Sequence, residues 1–208
     1  MSVREERKQQ TRRALMRAAL DLMAEGSGFG ELSLRSVARR ADVVPTAFYR
    51  HFTDMEELGL SLVDEAFVTV RRLLRDVRRQ ASDFRHVIRG SIAVYLNHVE
   101  SNRDVFAFVA RERYGGSPML RAAIARELRY FVLELSEDLA VMPNLSHLPA
   151  PRRETVSHLV VSIVANLTGD VVDIRPDVGP RIEEHAARAV DELMIIALGA
   201  AAWKPKEL

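Results

Sequence analysis

The feature that most constrains this chain is residues 33–52, where two short helical patterns are separated by one polar residue, Asp42. Ser33 is suited to cap the first helix, because its hydroxyl can accept a hydrogen bond from an orphan backbone amide. Apolar residues then recur at helical spacing on one face: Leu34, Val37, Ala38 and Ala41. Asp42 stands where the chain must bend, and Asp tolerates a left-handed backbone better than most residues. These residues predict a helix followed by a turn.

The second helix of this stretch begins at Pro45, whose missing amide costs nothing at a first helical position. Phe48 and Phe52 lie one turn apart and are expected to pin this helix onto the first. The other faces carry hydroxyls and nitrogen donors: Thr46, Tyr49, Arg50 and His51. A short helix with a packed back and a polar front fits the major groove of duplex DNA. The stretch therefore predicts a helix-turn-helix.

The 208-residue chain has a formal net charge of only +1, but its charges are unevenly distributed. Residues 1–52 hold ten Lys or Arg against six Asp or Glu, whereas residues 53–208 hold 20 against 23. The basic excess falls on the segment with the helix-turn-helix, as nucleic-acid binding favours. The chain has no cysteine, no signal-peptide core and no apolar run longer than 11 residues. We expect a cytoplasmic protein with no membrane partner.

The rest of the chain shows helical periodicity and no convincing strand. A first helix is predicted from about Arg4 to Ala24. Thr53 and Glu56 predict a capping box for a long fourth helix that reaches about Gln80. We therefore predict an all-α protein of about nine helices. A three-helix DNA-binding domain at 1–53 is joined by the fourth helix to a bundle within 54–208.

These motifs resemble the TetR family of bacterial repressors. The resemblance rests on Ser33-Leu34-Arg35-x-Val37-Ala38, on Ala41-x-Val43, and on Phe48-Tyr49-Arg50-His51-Phe52 followed by Glu57-Leu58. Two residues depart from the pattern: Asp42 stands where the family usually has Gly, and Met55 where it usually has a phosphate-binding Lys.

The resemblance implies a ligand-responsive repressor that binds a palindromic operator as a homodimer. It also implies which residues contact double-stranded DNA, some on the first helix and the others in the helix-turn-helix. They are Thr11, Arg12, Arg13, Ser33, Arg35, Pro45, Thr46, Tyr49, Arg50 and His51.

The last two predicted helices, the eighth from near Pro151 and the ninth from about Arg181, have wide apolar faces and many small residues near 199–202. Two such helices from each of two chains can build a four-helix interface, although the same faces can also pack within one chain. The resemblance favours a homodimer interface through helices 8 and 9, and Leu193 is expected to lie in it.

The resemblance also implies a small-molecule pocket among helices 4 to 8. Any candidate lining residue could equally be plain core. The candidates are Phe67, Tyr95, Val99, Phe106, Phe108, Leu128, Phe131, Leu159 and Ile163, together with Asn166, a polar residue in the apolar stripe of helix 8. Arg71, Arg75 and Arg78 on the fourth helix are either a solvated, ion-paired face or a site for an anionic head group.

Further motifs are similar to the DesT/FabR-type regulators of unsaturated fatty acid synthesis. They are Met1-Ser-Val-Arg-x-x-x-Lys-x-x-Thr-Arg-Arg, Val44-Pro-Thr-Ala-Phe-Tyr-Arg-His-Phe, Asp64-Glu65 and Arg111-Glu-Arg113. This similarity implies that the effector is a long-chain acyl-CoA, saturated or unsaturated, and that no cofactor is needed. The residues alone do not separate this function from a multidrug-type regulator of an efflux gene that senses another apolar ligand.

A helical enzyme is the distant alternative. Di-iron bundles need Glu-x-x-His pairs on facing helices, and this chain has none. Asp83 and His86 lie at a predicted helix start, where capping is the simpler role. We therefore expect no catalytic residues and no metal site.

Overall fold

The computed structural model describes residues 2–80, 83–142, 144–173 and 179–204, apart from the side chains of 79, 80 and 179–181. Over these residues the chain forms nine α-helices and one 3₁₀ turn, Phe29–Glu31, and no strand. The helices are α1 (Val3–Ala24), α2 (Leu34–Arg40), α3 (Pro45–Phe48), α4 (Met55–Gln80), α5 (Phe84–Ser101), α6 (Arg103–Glu112), α7 (Pro118–Val141), α8 (Ala150–Asp173) and α9 (Gly179–Ala201). The prediction of an all-α fold is confirmed. Helix α3 is shorter than predicted, and the chain reaches Phe52 through hydrogen-bonded turns.

The chain divides into two compact units. The first contains Met1–Ala66 and Asp104–Ile124, and the second contains Phe67–Arg103 and Ala125–Leu208. Helices α4, α6 and α7 each contribute residues to both units. The predicted boundary between a DNA-binding domain and a ligand-binding domain after residue 53 stays a prediction. The packing places residues 54–66 and 104–124 in the same unit as residues 1–53.

The helix-turn-helix forms through the local interactions that its sequence predicts. The amide of Ser36 donates to the Ser33 hydroxyl at 3.1 Å, so Ser33 caps α2. Asp42 has φ of 54° and therefore adopts the left-handed conformation expected at the turn. Pro45 occupies the first position of α3.

The core of the first unit joins residues on either side of the helix-turn-helix to the segment 104–124. Helix α1 packs on α2 and α2 on α3. The rings of Phe29 and Phe108 meet edge to face, with centroids 5.3 Å apart. A Cβ on Gly59 would lie 2.8 Å from the Phe29 ring and 2.9 Å from a Leu120 methyl, so any larger residue would have to displace a buried side chain. The first unit is therefore a close-packed core that needs residues far apart in sequence.

The start of α4 differs by one residue from the predicted capping box. The helix begins at Met55, and Asp54 accepts the amide of Glu57 at 2.8 Å. The Glu57 carboxylate, rather than that of Glu56, reaches back to the amide of Thr53 at 2.5 Å. Asp and Thr are both good caps, and the sequence offers two overlapping boxes. The predicted pairing of Thr53 with Glu56 is wrong in register.

In the second unit, α5, α8 and α9 pack on one another. The buried phenol of Tyr95 on α5 hydrogen-bonds the hydroxyl of Thr168 on α8. A further apolar cluster joins the end of α7, the following loop and the end of α9: Leu139, Leu145, Leu148 and Ala200.

Helix α8 is the one helix of the described chain that is long and apolar enough to cross a membrane, with a mean hydropathy of 1.4 over its most apolar window. Only 22% of that window is buried within the chain. A helix whose apolar face packs against protein has the same composition, so this single helix is weak evidence for a membrane span.

The boundary between the units at the start of α6 falls between two anchored residues. Arg103 donates to the carbonyls of Val171 and Val172 at 2.8 and 2.9 Å and so satisfies the last turn of α8 within the second unit. Asp104 forms an ion pair with Arg17 of α1 at 3.0 Å within the first unit. Consecutive residues are thus fixed in different units.

Candidate DNA-binding surface and effector core

The α3 segment has a fully packed back. Phe48 and Phe52 are 0% and 1% exposed, and their ring centroids are 5.5 Å apart. This packing fixes which residues remain at the surface. Four of the predicted DNA contacts are exposed there: Pro45, Thr46, Tyr49 and Arg50. The exposed phenol, hydroxyl and guanidinium can each hydrogen-bond to phosphates or base edges.

His51 is half-buried at the end of this segment. Burial lowers the pKa of its imidazole, and the positive charges of Lys8, Arg12 and Arg50 lower it further. The ring is therefore uncharged at neutral pH and would meet a phosphate as a neutral hydrogen-bond donor.

The flanking candidates have different environments. Arg13, Ser33 and Arg35 are exposed, although the Ser33 hydroxyl already caps α2. Thr11 is half-buried and donates its hydroxyl proton to the carbonyl of Arg7 at 3.0 Å. All three exposed side chains can reach solvent, whereas that of Thr11 is already engaged in α1.

Arg12 is engaged within the chain. Its Nη1 donates to the backbone carbonyl of His51 at 2.9 Å, and its Nη2 donates to the Ser61 hydroxyl at 2.7 Å. The guanidinium carbon also lies 4.4 Å from the centroid of the Phe52 ring. A single side chain thus touches the end of the α3 segment and α4.

The predicted effector-binding residues do not form a single group. Phe106 and Phe108 are buried in the first unit, where Phe108 contacts Phe29. The other candidates belong to the second unit: Phe67, Arg71, Arg75, Arg78, Tyr95, Val99, Leu128, Phe131, Leu159, Ile163 and Asn166. Within it, the rings of Phe67 and Phe131 are 6.0 Å apart and both are buried. Val99 is fully buried, and Leu128 is half-buried.

The three arginines of α4 pair with carboxylates of α7. Arg71 contacts Glu127 and lies 3.6 Å from Glu134, while Arg75 lies 3.1 Å from Glu134. Arg78 contacts Asp138 and lies 3.8 Å from Glu134. We call these three arginines and three carboxylates the α4–α7 ion-pair cluster. Of the two interpretations of the arginines, an ion-paired face describes this structure.

Three residues of α8 expected in a pocket are instead partly or fully open to solvent within a single chain. Leu159 is 46% exposed, Asn166 is exposed, and Ile163 is half-buried. Ile163 and Asn166 line a groove of about 300 Å³ between α8 and α9. Asn166 therefore faces an open groove, although it lies in the apolar stripe of the helix.

The apolar surface of α9 also differs from the prediction. Leu193 is only 4% exposed within the chain, whereas Ile195 and Leu198 are 70% and 50% exposed. The expectation that Leu193 lies in an interface is therefore wrong, because the side chain is already used in the core of its own chain. The apolar surface available to a partner is that of Ile195 and Leu198.

Several partners in these sites escaped the sequence analysis. Thr168 gave no local signal, because its pairing with Tyr95 joins two helices. Glu127, Glu134 and Asp138 did give one. They recur at helical spacing on α7, as Arg71, Arg75 and Arg78 do on α4. The sequence therefore indicated an acidic helix face and a basic helix face that could pair.

No cluster of three or more His, Cys, Asp or Glu suited to a metal ion occurs among the residues that the structure describes. Ion pairs and caps account for several of the acidic side chains instead. His86 and Asp83, for example, hydrogen-bond at 2.8 Å at the start of α5, where Asp83 caps the helix.

Comparison with known proteins places this geometry in a family. Residues 15–62 match the family model described as "Bacterial regulatory proteins, tetR family", and residues 84–196 match "Tetracyclin repressor-like, C-terminal domain".

Solved structures share the fold at low identity. A TetR-family transcriptional regulator from Syntrophomonas wolfei has a TM-score of 0.76 at 15% identity, over 92% of this chain and 96% of its own. A transcriptional regulator from a Rhodococcus species has a TM-score of 0.68 at 24% identity, over 93% and 99%. FadR from Bacillus subtilis, solved with stearoyl-CoA, has a TM-score of 0.65 at 14% identity, over 89% and 97%. At these identities the structures support the fold alone. Since one family model covers more than half of the chain, the chain belongs to the TetR family of bacterial transcriptional regulators and is a DNA-binding, ligand-responsive repressor, not an enzyme.

Proposed function

We propose that this protein acts in the cytoplasm as a homodimeric repressor of fatty acid synthesis or desaturation genes. It binds a palindromic operator through the exposed front of α3 and responds to long-chain acyl-CoA. The observation that supports DNA binding through α3 is the division of the α3 segment into a buried aromatic back and an exposed polar front.

On the operator, Tyr49 and His51 hold phosphates while Thr46 and Arg50 face base edges. Arg13, Ser33, Arg35, Pro45 and Thr11 flank this surface and add backbone contacts. Phosphate contacts set register and affinity, and base contacts set sequence preference. Experiment can therefore distinguish the two kinds of contact. Loss of a phosphate contact weakens binding to every sequence, whereas loss of a base contact changes the sequence preference.

The DNA surface is tested by operator binding of Tyr49→Ala and His51→Ala. Each change should weaken binding by roughly 1–3 kcal/mol, and to a similar degree on different sequences. Tyr114→Ala is the matched control, because Tyr114 is an exposed tyrosine of the first unit outside this surface. Parent-like binding by both test variants would remove the assignment.

The dimer forms through α8 and α9. Leu159, Ile195 and Leu198 present apolar side chains to solvent in a single chain, and burying such side chains favours association. A two-fold dimer presents two recognition helices to successive major grooves. The operator half-sites should therefore be one helical turn, or a multiple of it, apart.

The acyl-CoA proposal rests on the apolar interior of the second unit and on a structural relative solved with stearoyl-CoA. The acyl tail lies among the aromatic and aliphatic side chains of that unit, with Phe67, Phe131 and Val99 at its centre. Each buried methylene contributes about 0.8 kcal/mol, so affinity should rise steeply with chain length. Phe106 and Phe108 are not needed by this proposal.

The head group is assigned to Arg71, Arg75 and Arg78. These arginines pair with Glu127, Glu134 and Asp138, so the phosphates of CoA must compete with three carboxylates. Neutralising one carboxylate should make that competition easier. Glu134→Gln should therefore tighten the binding of acyl-CoA, with Glu137→Gln as the exposed neighbouring control.

The decisive measurement is operator affinity with matched saturated and cis-unsaturated acyl-CoAs, free CoA and a panel of cationic drugs. An effect of the two thioesters in opposite directions supports the proposal. A coupling of 1–3 kcal/mol suffices to change operator occupancy severalfold. A response to drugs and to neither thioester would assign the protein to efflux regulation instead.

A further inference from the structure

The environment of Arg12 separates it from the other basic residues near the helix-turn-helix. Its neighbour Arg13 is exposed, but Arg12 is half-buried and directs its guanidinium inward. It lies three residues before Leu15 and seven before Ala19, both fully buried, and so begins the packed stripe of α1. Its position on the helix, and not only its hydrogen bonds, turns it away from solvent.

Both hydrogen bonds of Arg12 end on groups that define the junction between α3 and α4. The His51 carbonyl, 2.9 Å away, belongs to the turn that follows α3. The Ser61 hydroxyl, 2.7 Å away, belongs to the second turn of α4. A planar guanidinium can serve two acceptors at a fixed angle, which ties α1 to both elements at once.

The surroundings of Arg12 favour a fixed charge at this place. The ring of Phe52 lies 4.4 Å from the guanidinium carbon, and Phe52 is itself buried beneath the α3 segment. The Glu57 carboxylate accepts the amide of Thr53, which lowers its pKa, and the charge of Arg12 lowers it further. Ser61 donates onward to the Glu57 carbonyl at 2.9 Å. Arg12 therefore completes a network at the start of α4.

We propose that Arg12 is a positioning residue that sets the orientation of the α3 recognition surface relative to α1 and α4, and that it does not contact DNA. This inference rests on the proposed use of the α3 surface. Both hydrogen bonds of Arg12 are made within its own chain, to groups at the junction between α3 and α4. It acts on operator binding through His51 and Phe52.

A phosphate contact and a positioning contact predict different salt dependences of DNA binding. A lost phosphate contact makes the negative slope of log K against log salt shallower by about 0.9 and weakens binding to any duplex. A lost positioning contact leaves the number of phosphate contacts unchanged and weakens specific binding more than non-specific binding. Arg13→Met is the matched control, because Arg13 is its exposed neighbour and a predicted phosphate contact.

The experiment measures operator and non-specific duplex affinity over a salt series for the full chain and for Arg12→Met, Arg12→Lys, Ser61→Ala and the Arg12→Met/Ser61→Ala pair. Active fractions come from stoichiometric titration, and melting temperatures are recorded for each variant. Arg12→Met should lower operator affinity roughly ten- to a hundredfold, the loss expected for hydrogen bonds from a charged group, with the parent salt slope retained. Arg12→Lys should not restore affinity, because an ammonium lacks the planar fork. Since Ser61 lies in the same network, the pair should lose less than the sum of the single changes.

Four results would overturn the proposal. A salt slope reduced to that of Arg13→Met, or recovery of affinity with Arg12→Lys, would make Arg12 a phosphate contact. Additive losses for Arg12→Met and Ser61→Ala would make the two residues independent. Unchanged affinity per active molecule with a lower melting temperature would leave Arg12 a stabilising residue only. Parent-like operator binding by Tyr49→Ala and His51→Ala would instead remove the α3 surface, which is a separate failure.

Discussion

The hydroxyl of Thr168 accepts a hydrogen bond from the phenol of Tyr95 inside the second unit. The direction follows from the Thr168 proton, which is donated to the Val164 carbonyl at 2.9 Å. Burial raises the pKa of Tyr95 to about 12. The pair is therefore neutral at physiological pH and joins α5 to α8.

Tyr95→Phe should lower the free energy of unfolding by about 1–2 kcal/mol at pH 7, because Thr168 loses a buried partner. The pKa of Tyr95 in the folded protein exceeds the usual value of 10. The contribution of its buried neutral phenol to the free energy of unfolding is therefore complete below pH 10 and is lost as the pH rises through about 12. Tyr95→Phe should remove this part of the alkaline destabilisation. Urea midpoints between pH 8 and 12 provide the measurement, with Tyr114→Phe as an exposed control. An identical alkaline decline in Tyr95→Phe and the parent would refute the assignment.

Glu134→Gln should destabilise the second unit by about 1–2 kcal/mol, between the values for exposed and buried ion pairs. Glu134 lies within 4 Å of Arg71, Arg75 and Arg78, so its loss leaves three cations with less compensation. The deficit should shrink in 1 M salt, since Arg75 and Glu134 are partly exposed. Unfolding at low and high salt checks this, with Glu137→Gln as the exposed control. Equal effects of the two changes would argue against the ion-pair cluster.

Asp42→Gly should be neutral or slightly stabilising, whereas Asp42→Ala should cost about 1 kcal/mol. The reason is the backbone angle φ of 54°, which glycine adopts freely and alanine does not. Thermal unfolding of the two variants provides the comparison. A parallel pair at Asn144, where φ is 70°, controls for the general cost of left-handed residues. If alanine proves as stable as glycine at 42, the turn is not left-handed in solution.

Ile195→Glu and Leu193→Glu should fail in different ways. The exposed Ile195 should tolerate the charge within one chain but lose the dimer, because a carboxylate would be buried at the proposed interface without a partner. The buried Leu193 should lose the fold itself. Sedimentation at micromolar concentration, combined with circular dichroism, distinguishes these outcomes. A folded Ile195→Glu dimer would move the interface elsewhere.

The helix-turn-helix was predictable because its determinants are local. The cap at Ser33, the turn at Asp42 and the proline at 45 each act within a few residues, and the structure contains all three. Even there, the capping box of α4 was misplaced by one residue, because Asp54 and Glu57 compete with Thr53 and Glu56.

The effector candidates were harder to predict because apolar periodicity identifies a buried face without identifying what it packs against. Phe108 and Phe131 look alike in sequence, yet Phe108 packs on Phe29 in the first unit and Phe131 on Phe67 in the second. Arg12 shows the same difficulty for charge, since a cation near a DNA-binding motif can serve either the operator or the packing of its own chain. Its helical register with the buried Leu15 is the sequence signal that favours the second role.

The fit of Gly59 against Phe29 and Leu120 has a consequence for protein engineering. A chimeric repressor made by transplanting residues 1–53 onto an unrelated sensor would leave behind Gly59, Phe108 and Leu120, and would expose Phe29 in the graft. Moving 104–124 with 1–66 would carry the native contacts of Phe29 along. The DNA-binding part of this protein therefore cannot be exchanged as an N-terminal segment alone. New sensors should be built by replacing residues 67–103 and the residues after 124.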